Sequence, residues 1–401
     1  MLNLTGFQIC DVSRGRKPLT LVLCPLLALW CSLYFLSLTA TIERDEVTAK
    51  EMKVLSDESE YFDYHNTLLD LIARYPWLWR RRYVPNSLAK HVKQERPRSY
   101  GANATMVFVH NQKAGGTSVK TCLKLLERES NMRRCYGIFD GNGPVHIMEA
   151  VRAKSTSRRC YVGESSFGIC DDLDDGDCAY FTMLRDPYER VISSHEYCKT
   201  ADDPLCRAGN ATELSLEEWA LQQGSYFFRQ LLLRPTEICV EAELFNNLLT
   251  QYLNKTDQSD EIVADLKSFP CWYRHKLLLE GVLSDSDKNA LLRYVLENLD
   301  NWFSVIGMTD EFDTSLELFQ FAFGLPFHDL CSAVFARETT YTEQSAGAEG
   351  GKAEVVRKLK SRLASNDHVR RALLYDIKIF ERAKEIFEMQ KTSYRHFAVR
   401  S

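Results

Sequence analysis

The stretch Thr105-Met106-Val107-Phe108-Val109-His110-Asn111-Gln112-Lys113-Ala114-Gly115-Gly116-Thr117-Ser118-Val119-Lys120 constrains this chain more than any other. Met106 to Val109 is a short apolar, β-favouring run, and beyond a polar, Gly-containing turn Val119, Cys122, Leu123 and Leu126 recur at helical spacing. The order is strand, loop, helix. The first N–H groups of such a helix have no partner within it, and they stand at its positive dipole end, so they form a seat for a phosphate or sulfate. Gly115 and Gly116 let the backbone approach a ligand closely, and Lys113 adds a mobile positive charge.

The nucleotide P-loop has the order G-x-x-x-x-G-K-[ST]. Here Lys113 precedes the glycines and no upstream glycine stands at the required spacing, so a Walker A loop, and a P-loop kinase with it, fits poorly. A second informative stretch is Arg185-Asp186-Pro187-Tyr188-Glu189-Arg190-Val191-Ile192-Ser193. Asp186 suits an N-cap, Pro187 the first helical position and Glu189 the acid of a capping box. Tyr188, Val191, Ile192 and His195 are expected to form the buried stripe of that helix, leaving Arg185 at a strand end and Ser193 about two turns along.

Upstream, a polar tail ending in Arg14, Arg16 and Lys17 precedes Leu19 to Ile42, which carry no charge, and Glu43, Asp45 and Glu46 follow. The run is long enough to span a bilayer, and the basic residues before it place the N-terminus in the cytosol. The expected organisation is a cytosolic tail (1–17), a signal anchor (18–42), a lumenal stem (43–100) and a lumenal domain (101–401). Ser37 to Ala40 offer a cleavage site for a signal peptide, but the apolar run exceeds a usual h-region, which favours the anchor. Of thirteen cysteines, ten follow the span: Cys122, Cys135, Cys160, Cys170, Cys178, Cys198, Cys206, Cys239, Cys271 and Cys331. An even count with no C-x-x-C pair points to disulfides in an oxidising compartment rather than to zinc, with the pairing open. Sequons at Asn103, Asn210 and Asn254 share that side.

In the stem, Tyr75 to Arg82 and the basic residues Lys90, Lys93, Arg96 and Arg98 could grip an acidic glycan or form a solvated basic juncture. Residues 101 to about 335 alternate short apolar runs with helical patterns, which predicts an α/β domain with a central, mainly parallel sheet flanked by helices. Cys160 to Gly163 is expected as a strand ending at Glu164, Tyr180 to Leu184 as one ending at Arg185, and Trp302 to Met308 as a later strand. The polar candidates thus fall at carboxyl ends of strands, where open α/β sheets bind ligands. Asp171 to Asp177 departs from a calcium loop, with Leu173 at a ligand position, and is read as an acidic loop. Asp310 to Phe323 reads as a helix stopped by Gly324 and Pro326, and Tyr341 to Gly351 as a mobile loop. A long final helix carries Leu373, Leu374, Ile377, Phe380, Ala383 and Phe387 on its packing face. The formal charge of −5 gives no general pull toward nucleic acid.

Lys113-Ala114-Gly115-Gly116-Thr117-Ser118 after a strand resembles the 5′-phosphosulfate loop of sulfotransferases, and R-D-P-x-x-R-x-x-S resembles their 3′-phosphate motif. With the anchor, the pair resembles the Golgi glycan sulfotransferases, the group with heparan sulfate 2-O- and 6-O- and uronyl 2-O-sulfotransferases. The resemblance is firm over about residues 104 to 200 and looser through Val305 to Phe312 and the final helix. It implies the P-loop-like sulfotransferase fold after one transmembrane helix, in a single-pass type II protein of the Golgi membrane. It also implies the donor 3′-phosphoadenosine 5′-phosphosulfate, no metal, and an acidic polysaccharide of glycosaminoglycan type as acceptor; a homo-oligomer stays open. Lys113, Ala114, Gly115, Gly116, Thr117 and Ser118 would hold the phosphosulfate, Lys113 also offsetting charge on the leaving oxygen, and Arg185 and Ser193 would bind the 3′-phosphate. Relatives read G-H-x-x-F-G where this chain has Gly163-Glu164-Ser165-Ser166-Phe167-Gly168. Glu164 then replaces the histidine as general base, with His146 and His195 in reserve; alternatively, the chain binds donor or glycan without transfer.

Overall fold

Met106 to Val109 are buried on both faces, as a central strand of a parallel sheet requires. The computed structural model describes residues 105–130, 135–137, 160–169, 178–232 apart from 204 and 208, 271–332 and 349–398, with Leu68, Asp70 and Leu71. All lie in the unit Asn66–Ser401; the unit Met1–His65, including the expected span, lies outside the described residues. So do Asp171 to Asp177, His146, Asn103, Asn254 and the basic part of the expected stem. No helix among the described residues is long and apolar enough to cross a membrane. Leu68, Asp70 and Leu71, in the stretch expected as stem, are helical, and both leucines are buried.

The order along the chain is β1 (Thr105–Val109), α1 (Gly116–Glu129), β2 (Tyr136–Gly137), β3 (Cys160–Gly163), β4 (Cys178–Leu184), α2 (Pro187–Cys198), α3 (Leu216–Gln223) and α4 (Tyr226–Leu232). There follow α5 (Cys271–Val282), α6 (Asp285–Trp302), β5 (Phe303–Met308), a 3-10 turn (Thr309–Glu311), α7 (Phe312–Phe323), α8 (Glu349–Ser365), α9 (Asp367–Ala372) and α10 (Leu374–Ala398). The sheet order is β2-β3-β1-β4-β5, and every pairing is parallel. Because the chain leaves β1 toward β3 and returns on its other side as β4, the order reverses beside β1. Ligands in open α/β sheets bind outside the strand ends at such a point.

Successive strand residues face opposite layers. On one side Phe181 packs against Phe319 and Phe323 of α7 and against Phe327, with ring centroids 4.9 to 6.0 Å apart. Tyr180 points the other way, toward Phe167, which also meets Trp302 and Phe303. Disulfides Cys122–Cys331, Cys135–Cys160 and Cys198–Cys206 tie α1 to the segment after α7, the start of β2 to β3, and the end of α2 to the turn beyond it. Cys271 is also disulfide-bonded.

Several expectations change in detail. Trp302 ends α6 rather than opening β5, and Gly350 and Gly351 belong to α8 rather than to a loop. The expected final helix is interrupted at Leu373, the C-cap of a separate α9, which Asn366 opens by accepting from the N–H groups of His368 and Val369. Its buried stripe uses Leu373, Ala383 and Phe387 as expected, completed by Asp376, Ile379, Ile386 and Gln390, whereas Leu374, Ile377 and Phe380 are only partly buried.

Candidate active site

Three loops leave neighbouring strand ends side by side: Glu164 after β3, His110 to Gly115 after β1, and Arg185 after β4. Asp186 caps α2 as expected, its carboxylate accepting from the N–H groups of Tyr188 and Glu189. Glu189 does not close a capping box. It faces Arg185 at 3.6 Å and Lys360 of α8 at 3.2 Å. Lys360 also reaches Asp186 at 3.0 Å; burial lowers its ammonium pKa, but the hydrogen bonds and charges of those two carboxylates outweigh burial and raise it.

Glu189, Ser193 and Tyr197 lie at i, i+4 and i+8, a single ridge of α2. Arg185 meets its first residue, and Lys113 meets its last, with Nζ 3.7 Å from the centroid of the Tyr197 ring. Ser193 therefore stands on the ridge between the two cations, which is how the fold joins the two motifs. Burial and the nearby Arg185 hold the Lys113 ammonium below its usual range, against the pull of Asp203. Asp203 also takes the Tyr197 hydroxyl as a hydrogen-bond partner, which, with burial, pushes that phenol up to about 12.

Lys113 is the only described non-glycine residue with a positive φ, 64°. A left-handed lysine costs on the order of 1–3 kcal/mol, and such strain collects where a side chain must be aimed. Gly115, at φ 75°, caps α1 with its backbone alone, so no side chain occupies the first N–H groups of the helix. Ala114 and Gly116 are buried, Ser118 is half-buried and Thr117 is exposed. A helix start without a side-chain cap, with an adjacent cation and two hydroxyls, offers a seat for an anion.

Across β1, Glu164 and His110 form a buried pair, Oε1 to Nδ1 at 2.6 Å, each about 8% exposed. Burial pushes the Glu164 carboxyl up, but the His110 imidazole, through charge and hydrogen bond, outweighs it, and Lys120 adds to the pull; the carboxyl lies below the usual carboxylate range. Gln230 of α4 donates to the backbone carbonyls of both His110 and Glu164, clamping the two strand ends together. A Cβ on Gly116 would overlap the His110 imidazole, so this glycine is required by the protein's own packing. Sequence reasoning missed His110; its place at the end of β1, three residues before Lys113, was the available signal.

His195 is not poised for chemistry: it is buried against Trp219, with Nε2 3.0 Å from the Leu214 carbonyl. Arg190, the second arginine of the R-D-P-x-x-R-x-x-S motif, is 1% exposed and faces Asp376 of α10 at 3.9 Å. Asp313, Glu317 and His328 form the one described side-chain group spaced for a metal, and ion pairs from His328 to Asp313 and Asp329 account for it. A cleft of about 370 Å³ opens beside α3 and α5, lined by residues including Asn210, Glu213, Leu221 and Tyr273; none of the candidate residues lines it. Comparison of the chain with protein families, with curated proteins and with solved structures found no match.

Proposed function

We propose that this chain transfers a sulfuryl group from 3′-phosphoadenosine 5′-phosphosulfate to a hydroxyl of a glycan, an acidic polysaccharide of glycosaminoglycan type, in the Golgi lumen. The observation that carries this reading is the meeting of the two motifs on α2: Lys113 on Tyr197, Arg185 on Glu189 and Ser193 between them. The start of α1 with Thr117 and Ser118 binds the phosphosulfate, and Lys113 offsets the charge that develops on the leaving phosphate oxygen. Arg185 and Ser193 bind the 3′-phosphate, a task suited to a planar cation and a hydroxyl. Positioning and charge stabilisation supply most of the catalysis, with a base for the acceptor hydroxyl in the His110–Glu164 pair at the strand ends. The disulfides suit an oxidising compartment. A chain that binds donor without transfer is the second reading, favoured by the burial of Glu164 in an internal hydrogen bond.

Calorimetry tests the donor site. Arg185→Ala and Ser193→Ala should each weaken 3′-phosphoadenosine 5′-phosphate by on the order of 1.5–3 kcal/mol for the charged contact. The analogue lacking the 3′-phosphate should bind both variants as it binds the parent. Equal losses for the two nucleotides remove the assignment, and a parent that binds neither removes the function.

A further inference from the structure

The His110–Glu164 pair has a direction. Glu164 lies below the usual carboxylate range because the imidazole outweighs burial, so its carboxylate is ionised near neutral pH and can only accept hydrogen bonds. At 2.6 Å the proton between the two therefore belongs to Nδ1 of His110. In the neutral ring this leaves Nε2 with its lone pair, and the described hydrogen bond of the ring is the one at Nδ1. The ring edge that carries Nε2 lies against Gly116, the first residue of α1, where a Cβ would overlap it. The imidazole is thus held by a carboxylate on one nitrogen and presents the other at the start of the anion-binding helix.

We propose that Nε2 of His110 is the atom that takes the acceptor's proton, and that Glu164 is a positioning residue acting through it. This rests on the sulfuryl-transfer reading. The hydroxyl oxygen bonds to sulfur as its proton passes to Nε2; the bond from sulfur to the 5′-phosphate oxygen breaks, and its electron pair stays on that oxygen, whose charge Lys113 offsets. Glu164 fixes the tautomer and stabilises the imidazolium that forms, as the third member of a nucleophile–base–carboxylate triad does. The charged groups facing the pair are Glu164 itself, from the end of β3, and Lys120, from α1; α4 presents the neutral Gln230.

The two roles separate by pH. A base at His110 acts only while Nε2 is unprotonated, so turnover has an acidic limb, and Glu164→Gln, by removing a negative neighbour, moves that limb to lower pH. A base at Glu164 would instead place the limb at or below the carboxylate range, and Glu164→Gln would abolish it. The experiment uses the full chain in detergent with a desulfated glycosaminoglycan. His110→Asn, which retains a donor toward Glu164, should lower kcat by roughly 10²- to 10⁴-fold with donor affinity unchanged. Glu164→Gln should retain more activity, with its acidic limb displaced downward. Nitrogen NMR of the parent should show His110 protonated at Nδ1 and bare at Nε2, a readout independent of turnover. Parental turnover in His110→Asn, or a parental limb in the carboxylate range, overturns the proposal while leaving the function intact. If His110→Asn melts early, the parental limb and the NMR tautomer still decide. A parent that shows this tautomer but transfers no sulfate to any acceptor removes the function, and the base with it.

Discussion

Gly116→Ala is expected to lower the melting temperature and, under the proposed function, to reduce sulfate transfer by roughly 10²-fold, the scale of effect produced by a misplaced catalytic group. Propensity alone predicts the opposite sign, because alanine is favoured over glycine in a helix by about 1 kcal/mol. The sign reverses because the new Cβ falls on the His110 imidazole. That ring cannot yield cheaply: Nδ1 is held by Glu164, and the ring stacks on Phe108 at 6.1 Å. Overpacking at a buried site costs about 1–3 kcal/mol, and relief would break the buried pair. Thermal melts with single-turnover transfer check both effects, and a Gly116→Ala protein as stable and active as the parent would show that the ring does not lie there.

Asp376→Ala costs about 3–5 kcal/mol, since removing one partner of a buried ion pair leaves the other charge uncompensated. Asp376, from α10, accepts from the N–H groups of Phe227 and Phe228, capping α4, and faces Arg190 at 3.9 Å. Burial pushes its carboxyl up, against Arg190 and the two N–H groups; the same burial lowers Arg190. Without Asp376, Arg190 loses its anion inside α2, and α4 loses the cap that orients Gln230 toward the strand ends. Denaturant titration is the measurement, with Asp376→Asn expected to lose less because one acceptor remains. A loss below about 1 kcal/mol for the alanine variant would mean that the pair is not structurally coupled.

Local pattern made part of this legible from the residues alone. β1 and α1 were readable because Met106 to Val109 are uniformly apolar and Val119, Cys122, Leu123 and Leu126 keep helical spacing, and all of these are buried. The α2 cap was readable because Asp186 and Pro187 act on adjacent backbone. Pairings distant in sequence were not. Nothing local shows that Glu164 meets His110 54 residues away, or that Arg190 is buried against Asp376. β2 is two residues long, too short for periodicity to register. The break between α9 and α10 was hidden because apolar spacing continues across it. Of the candidate site, the loop and both motif residues were visible, whereas Tyr197 as the platform for Lys113 emerged only from the packing of α2.

Sulfate incorporation tests the central claim most directly. The full chain, incubated with labelled 3′-phosphoadenosine 5′-phosphosulfate and a panel of desulfated glycosaminoglycans, should place label on at least one polysaccharide. Lys113→Ala should lower that rate by roughly 10²- to 10³-fold, the scale for removing a group that stabilises developing charge. Donor binding with no label on any acceptor would identify a silent member, and neither binding nor label would contradict the account.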